Sequence, residues 1–133
     1  MHPEICERVC KIRAKKTEHK VSPTLDQQEV KAILDSTSQN TTTLKDIRDY
    51  ALIMLIYNTG ARVQEIVDLQ ITDLTLNAPF QVLLTGKGNK QRLGPLYRET
   101  IEALKNYLIS RSKEGISHET VFLNSNGQPL TRF

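Results

Sequence analysis

Arg62 and Lys87 are the residues whose types and surroundings are best suited to chemistry on a phosphate. Arg62 follows Asn58-Thr59-Gly60-Ala61, a stretch that breaks one helix and opens another. A guanidinium there presents a rigid fork matched to phosphate oxygens, and the free N–H groups of the helix start add positive potential. Glu65, one turn on, is placed to accept a hydrogen bond from Arg62 and hold that fork. Lys87 stands in Gly86-Lys87-Gly88-Asn89-Lys90-Gln91-Arg92, between two glycines at what reads as a hairpin tip. Glycines let a backbone approach a ligand closely, and an ammonium on a mobile tip can give a proton to a leaving oxygen. Lys90 and Arg92 add charge on the return strand. Each segment also has a plain structural reading, Arg62 and Glu65 as a capped surface pair and Lys87 as a solubilising turn residue. A nucleotide-binding P-loop is excluded, because no Gly-Lys-Ser or Gly-Lys-Thr opens a helix here.

The elements that must position these residues follow from periodicity and punctuation. Residues 3–14, with Ile5, Val9 and Ile12 at helical spacing, predict a helix. A basic run follows, including Lys15 and Lys16, and Val21-Ser22-Pro23 ends it as an extended linker. That run suits either a solvated arm or contact with DNA phosphates. Asp26 and Glu29 have the spacing of a capping box, with Leu25 and Val30 as its staple, for a helix running to about Leu34. Residues 36–43 are polar and read as a loop. A helix over 44–58 follows, apolar on nearly all sides in its second half, which predicts a central, buried position. Gly60 suits a left-handed C-cap. A short helix over 62–69 should turn Val63, Ile66 and Val67 inward. Beyond it lie a brief strand at 74–76, a strand over 81–85, the turn at 86–89, and a return strand over 92–96 that Pro95 confines to an edge. A helix over 98–111 carries Ile101, Leu104 and Leu108 on one stripe. Residues 121–123 are extended and 126–129 form a turn. The expected class is mostly α, an α+β arrangement with a small antiparallel sheet carrying the lysine hairpin.

Composition bounds the function without choosing it. The 133 residues fit one domain; 38% are hydrophobic and 25% charged, as in a globular protein. A net charge of +3 permits a nucleic-acid partner. No apolar run approaches the ~20 residues of a membrane helix, and the start of the chain lacks a secretory pattern. Cys6 and Cys10, four apart on one predicted helix face, fit reduced thiols and a cytoplasmic setting better than a disulfide. With His2 they could offer zinc three ligands, but a closed site needs a fourth, and two small thiols are the simpler reading. No metal site is therefore assigned.

The two segments, in this order and 25 positions apart, resemble the tyrosine recombinase (phage integrase) family over the first half of its catalytic domain. Thr59-Gly60-Ala61-Arg62-Val63-Gln64-Glu65-Ile66, with Leu69 and Asp73-Leu74 beyond it, resembles the first arginine box. Gly86-Lys87-Gly88-Asn89-Lys90-Gln91-Arg92 with Pro95-Leu96 resembles the lysine hairpin, and Leu25-Asp26-Gln27-Gln28-Glu29 resembles the segment that opens the domain. The resemblance divides the chain into a helix and basic interdomain linker at 1–22 and a partial catalytic domain at 23–133. It implies a DNA recombinase that cuts and rejoins through a 3′-phosphotyrosyl intermediate, without metal or nucleotide cofactor. Arg62 would clamp nonbridging oxygens and Lys87 would protonate the 5′-hydroxyl leaving group. Glu65 would support them, and Lys90, Arg92, Lys15 and Lys16 would contact DNA, Lys90 and Arg92 alternatively buttressing the hairpin. The implied partners are double-stranded DNA and other recombinase protomers.

The family's second box, His-x-x-Arg with a further His or Trp, and the tyrosine nucleophile after it have no counterpart in these residues. Tyr50, Tyr57, Tyr97 and Tyr107 fall where the family has no nucleophile and read as core or interface residues; His2, His19 and His118 match no family histidine. These 133 residues are accordingly expected to be inactive alone and to self-associate through uncovered apolar faces. Two alternatives stay open: a non-catalytic DNA- or partner-binding module derived from a recombinase, and a relative of type IB topoisomerases.

Overall fold

The structure is a computed structural model that describes residues 22–39 and 41–132. The helix expected over 3–14, Lys15, Lys16, Cys6 and Cys10 lie outside those residues. Helix α1 spans Gln27–Gln39. Its start follows the sequence signal: Glu29 N–H donates to the Asp26 carboxylate, and Asp26 N–H to the Glu29 carboxylate, both at 2.8 Å. Its end does not, because residues 36–39 continue the helix where a loop was expected. Ser36, Thr37 and Ser38 donate their hydroxyls back to the carbonyls of Ile33, Leu34 and Asp35 at 2.8–3.0 Å, so polarity is satisfied inside the helix.

Helix α2, Leu44–Thr59, begins with a second capping box: Asp46 N–H donates to the Thr43 hydroxyl and Thr43 N–H to the Asp46 carboxylate. Gly60 closes it in the left-handed conformation, φ 59°, with its N–H on the Ile56 carbonyl. The helix is central, since α1 and helix α4, Arg98–Lys113, both pack on it. It is less buried than its composition predicted. Ala51 and Leu55 are fully buried, while Tyr57 stays exposed, because α1 covers only part of the apolar second half.

Helix α3, Val63–Val67, leads through a 3-10 turn at Ile71–Asp73 to strand β1, Leu74–Thr75. Strands β2, Gln81–Thr85, and β3, Gln91–Pro95, form the hairpin, and the antiparallel sheet runs β1-β2-β3 with β3 at the edge. The register pairs Val82 with Gly94, Leu83 with Leu93 and Leu84 with Arg92. Val82 and Leu84 enter the core with Ile66, Leu69, Leu104, Tyr107, Val121 and Phe122. Tyr107 stacks on Phe122, ring centres 5.7 Å apart, and its hydroxyl accepts the Leu123 N–H. Arg111, which carried no sequence signal, is buried and donates to the carbonyls of His118, Thr120 and Val121, fixing the 118–123 segment against α4. Among the described residues no helix is long and apolar enough to cross a membrane.

Candidate functional site

Arg62 is the N-cap of α3, in extended conformation one residue after Ala61 and two after the Gly60 break. Its backbone N–H donates to Glu65 Oε2 at 2.8 Å, and its exposed side chain leaves the helix start. Glu65 itself is buried, 6% exposed. The expected bond from the Arg62 guanidinium to Glu65 is not formed. Glu65 instead accepts Arg92 Nη2 at 2.9 Å, because the cap geometry already turns its carboxylate to the Arg62 backbone and strand β3 brings Arg92 to the other side. The hydrogen bond from the Arg62 backbone, followed by the bond and charge of Arg92, holds the Glu65 carboxyl below its ordinary value of 4.5 despite burial. Val63, expected inward, is exposed, since the cap turns the α3 face so that Glu65 and Ile66 occupy the interior.

The hairpin approaches this carboxylate from above. Gly86 leaves β2 with its N–H on the Lys90 carbonyl, and Gly88 and Asn89 turn the chain at φ 73° and 59°. A Cβ on Gly86 would lie 2.9 Å from Glu65 Oε1, so any other residue there would have to displace a carboxylate that the Arg62 N–H and Arg92 hold. Lys87 and Lys90 are exposed at the tip. Gly60, Arg62, Glu65, Gly86, Lys87, Lys90, Gln91 and Arg92 line one open cleft of about 280 Å³. The structure thus brings together five sequence-predicted residues: Arg62, Lys87, Glu65, Lys90 and Arg92. Four cations face one carboxylate there. Among the described residues, the side chains of Arg62, Lys87 and Lys90 take part in no hydrogen bond or ion pair, whereas Arg92 is bonded twice.

A small, polar, net-positive concavity accepts an anion carried on a larger body better than it encloses a metabolite. A second cleft of similar size, between the start of α2 and the end of α4, has arginines that are already engaged: Arg48 donates to Leu123 O and Asp49, and Arg111 to three carbonyls. Neither tyrosine nor histidine lines the arginine–lysine cleft among the described residues. Tyr107 is core, Tyr57 and Tyr97 are exposed elsewhere, and His118 accepts the Thr120 N–H through Nδ1. Asn58, in the last turn of α2 before Arg62, holds the end of β3: Nδ2 donates to Pro95 O at 3.1 Å and Oδ1 accepts the Tyr97 N–H at 2.9 Å. Nothing in the sequence announces that role, which depends on where β3 lies.

The chain is similar to known proteins in sequence and in fold. The phage integrase family model matches residues 23–133. The tyrosine recombinase XerD of Staphylococcus saprophyticus is 35% identical over 124 residues, which is 91% of this chain and 41% of that protein. The tyrosine recombinase XerD of Corynebacterium glutamicum is 37% identical over 113 residues, covering 82% of this chain and 36% of the relative. Among solved structures, the XerH site-specific recombinase bound to difH substrate in a pre-cleavage complex superposes with a TM-score of 0.71 at 31% identity, over 89% of this chain and 35% of that one. The chain spans about two fifths of the length of these curated relatives.

Proposed function

The chain belongs to the phage integrase family, and from that premise we propose that it forms the arginine- and lysine-bearing first half of the catalytic domain of a site-specific DNA recombinase. In this reading residues 1–22 are the basic interdomain segment and residues 23–133 the partial catalytic domain. The observation that carries it is the single cleft in which Arg62 and Lys87 stand free beside one buried carboxylate. Arg62 binds the nonbridging oxygens of the scissile phosphate and offsets the charge that grows on them as phosphorus becomes pentacoordinate. Lys87, on its turn, reaches the 5′ oxygen and protonates it as the bond to phosphorus breaks. The phosphate remains on a tyrosine as a 3′ ester, and the reverse attack by a 5′-hydroxyl rejoins the strand. Lys90, and Lys15 and Lys16 of the basic run, contact backbone phosphates.

Among the described residues no tyrosine lines the cleft, and in this reading the nucleophile comes from outside these 133 residues, which alone do not cut DNA. They bind duplex DNA without sequence preference in a cytoplasmic setting. They also associate with other protomers or with themselves. The test uses the full gene product that carries this chain, incubated with nicked suicide duplexes. A covalent protein–DNA adduct on a denaturing gel, lost in Arg62→Ala, supports the recombinase. A product that binds duplexes but forms no adduct on any of them is a non-catalytic DNA-binding module.

A further inference from the structure

We propose that Arg92 is a positioning residue that ties the lysine hairpin to the arginine-bearing helix, and that it does not contact phosphate. The catalytic half of this inference rests on the recombinase reading above; the geometric half does not. Alternation along β3 turns Arg92 and Gly94 to the same side as Leu84 and Val82, while Gln91 and Leu93 point to the other face; Gly94 is buried there, and Arg92, its side chain 44% exposed, reaches along the edge of the cleft. On that side Arg92 Nη2 meets Glu65 Oε2 at 2.9 Å and Nη1 meets the Thr59 carbonyl at 3.3 Å. One guanidinium therefore spans the last residue of α2 and the first turn of α3. The turn residue after β2 reaches the same carboxylate, since Gly86 lies so close to Glu65 Oε1 that a Cβ there would sit 2.9 Å from it.

The hairpin needs this tie. Its strands are five residues each, and Lys87 lies beyond the last pair, Thr85 with Gln91. The neck of the hairpin is the point from which Lys87 is aimed, and Arg92 and Gly86 are what fix the neck to α3. Because Arg62 starts α3, the same contact sets the distance between the two groups that act on the phosphate. A lysine at 92 would offer one compact head where the guanidinium gives each acceptor its own nitrogen.

Three measurements decide it. In this chain, Arg92→Gln should speed amide hydrogen exchange at Gly86, whose N–H closes the turn, by about tenfold while leaving α4 amides unchanged; unaltered exchange at Gly86 overturns the tie. In DNA binding by the same chain, Arg92→Gln should preserve the slope of log affinity against log salt, whereas Lys90→Gln should reduce it by about 0.9. A comparable reduction for Arg92→Gln would make it a phosphate contact and end the proposal. In the full gene product, Arg92→Gln should lower cleavage by about 10- to 100-fold, and a 5′-bridging phosphorothiolate, whose sulfur leaves without protonation, should restore it as it restores Lys87→Ala. A loss that the phosphorothiolate leaves in place shows that Arg92 does not act through Lys87. If the unaltered gene product forms no adduct, the recombinase reading falls, and the first two measurements still judge Arg92.

Discussion

Among the described residues Glu65 is the one acid in a cleft with four cations, and its ionisation ties local stability to pH. Its folded pKa lies below the ordinary 4.5, so the unfolded chain takes up the proton first as pH falls. The stabilisation is complete above about pH 5 and is lost as pH drops through the folded value. Replacing Glu65 by Gln should cost about 2 kcal/mol at pH 7, the scale of a buried bond to a charged partner. It should also flatten the acid limb of a stability–pH curve measured by urea unfolding; an unchanged limb would remove Glu65 from that role. The exposed cations should behave differently. In the full gene product Arg62→Ala should abolish adduct formation with little loss of stability. Lys87→Ala should slow cleavage on ordinary duplexes and recover on a 5′-bridging phosphorothiolate. A Lys87→Ala variant that stays slow on that substrate is not missing a general acid.

At the scale of elements, the site depends on how α2 stops. Gly60 adopts φ 59° with open space where a Cβ would sit, so Gly60→Ala tests the backbone conformation alone. It should destabilise the chain by about 1 kcal/mol, read from the shift of a denaturant midpoint. At the other end of α2, Thr43→Ala removes one half of the capping box and should cost about 1 kcal/mol in the same measurement. The expected loop at 36–43 concealed that cap. Runs of serine and threonine favour loops when their hydroxyls compete with the backbone, but here the carbonyls of α1 accept them and the helix persists to Gln39.

At the scale of the molecule, the charge of the cleft and one apolar groove are the two surfaces from which association can be tested. Binding to duplex DNA through ~3–5 phosphates should weaken steeply with salt, and affinity that ignored salt would exclude a phosphate-dominated interface. Leu25, Ile33 and Tyr57 are exposed along a groove between α1 and α2 that Val30, Leu34, Ile53 and Ile56 complete. An apolar surface of this kind promotes association. Sedimentation velocity should show the chain self-associating as concentration rises, with Ile33→Glu shifting it toward monomer. A monodisperse monomer at high concentration would count against that surface.

The sequence by itself determined the local events and the family. Asp26 with Glu29, Gly60, and the glycines around Lys87 are each read within a few residues, because capping and turn chemistry are short-range. The order and spacing of the two motifs carried the recombinase resemblance in the same way. What the tertiary structure decided was partnership. Sequence spacing paired Glu65 with the side chain of Arg62, three positions away; the fold gave it the backbone of Arg62 and the side chain of Arg92, 27 positions on. The register of β3 chose that outcome, since a shift by one residue would turn Arg92 to the opposite face of the sheet, away from Glu65. Burial of Glu65, exposure of Val63 and the grip of Asn58 on β3 have the same origin. Each depends on the packing of the α2–α3 junction against a hairpin distant in sequence, which no local pattern encodes.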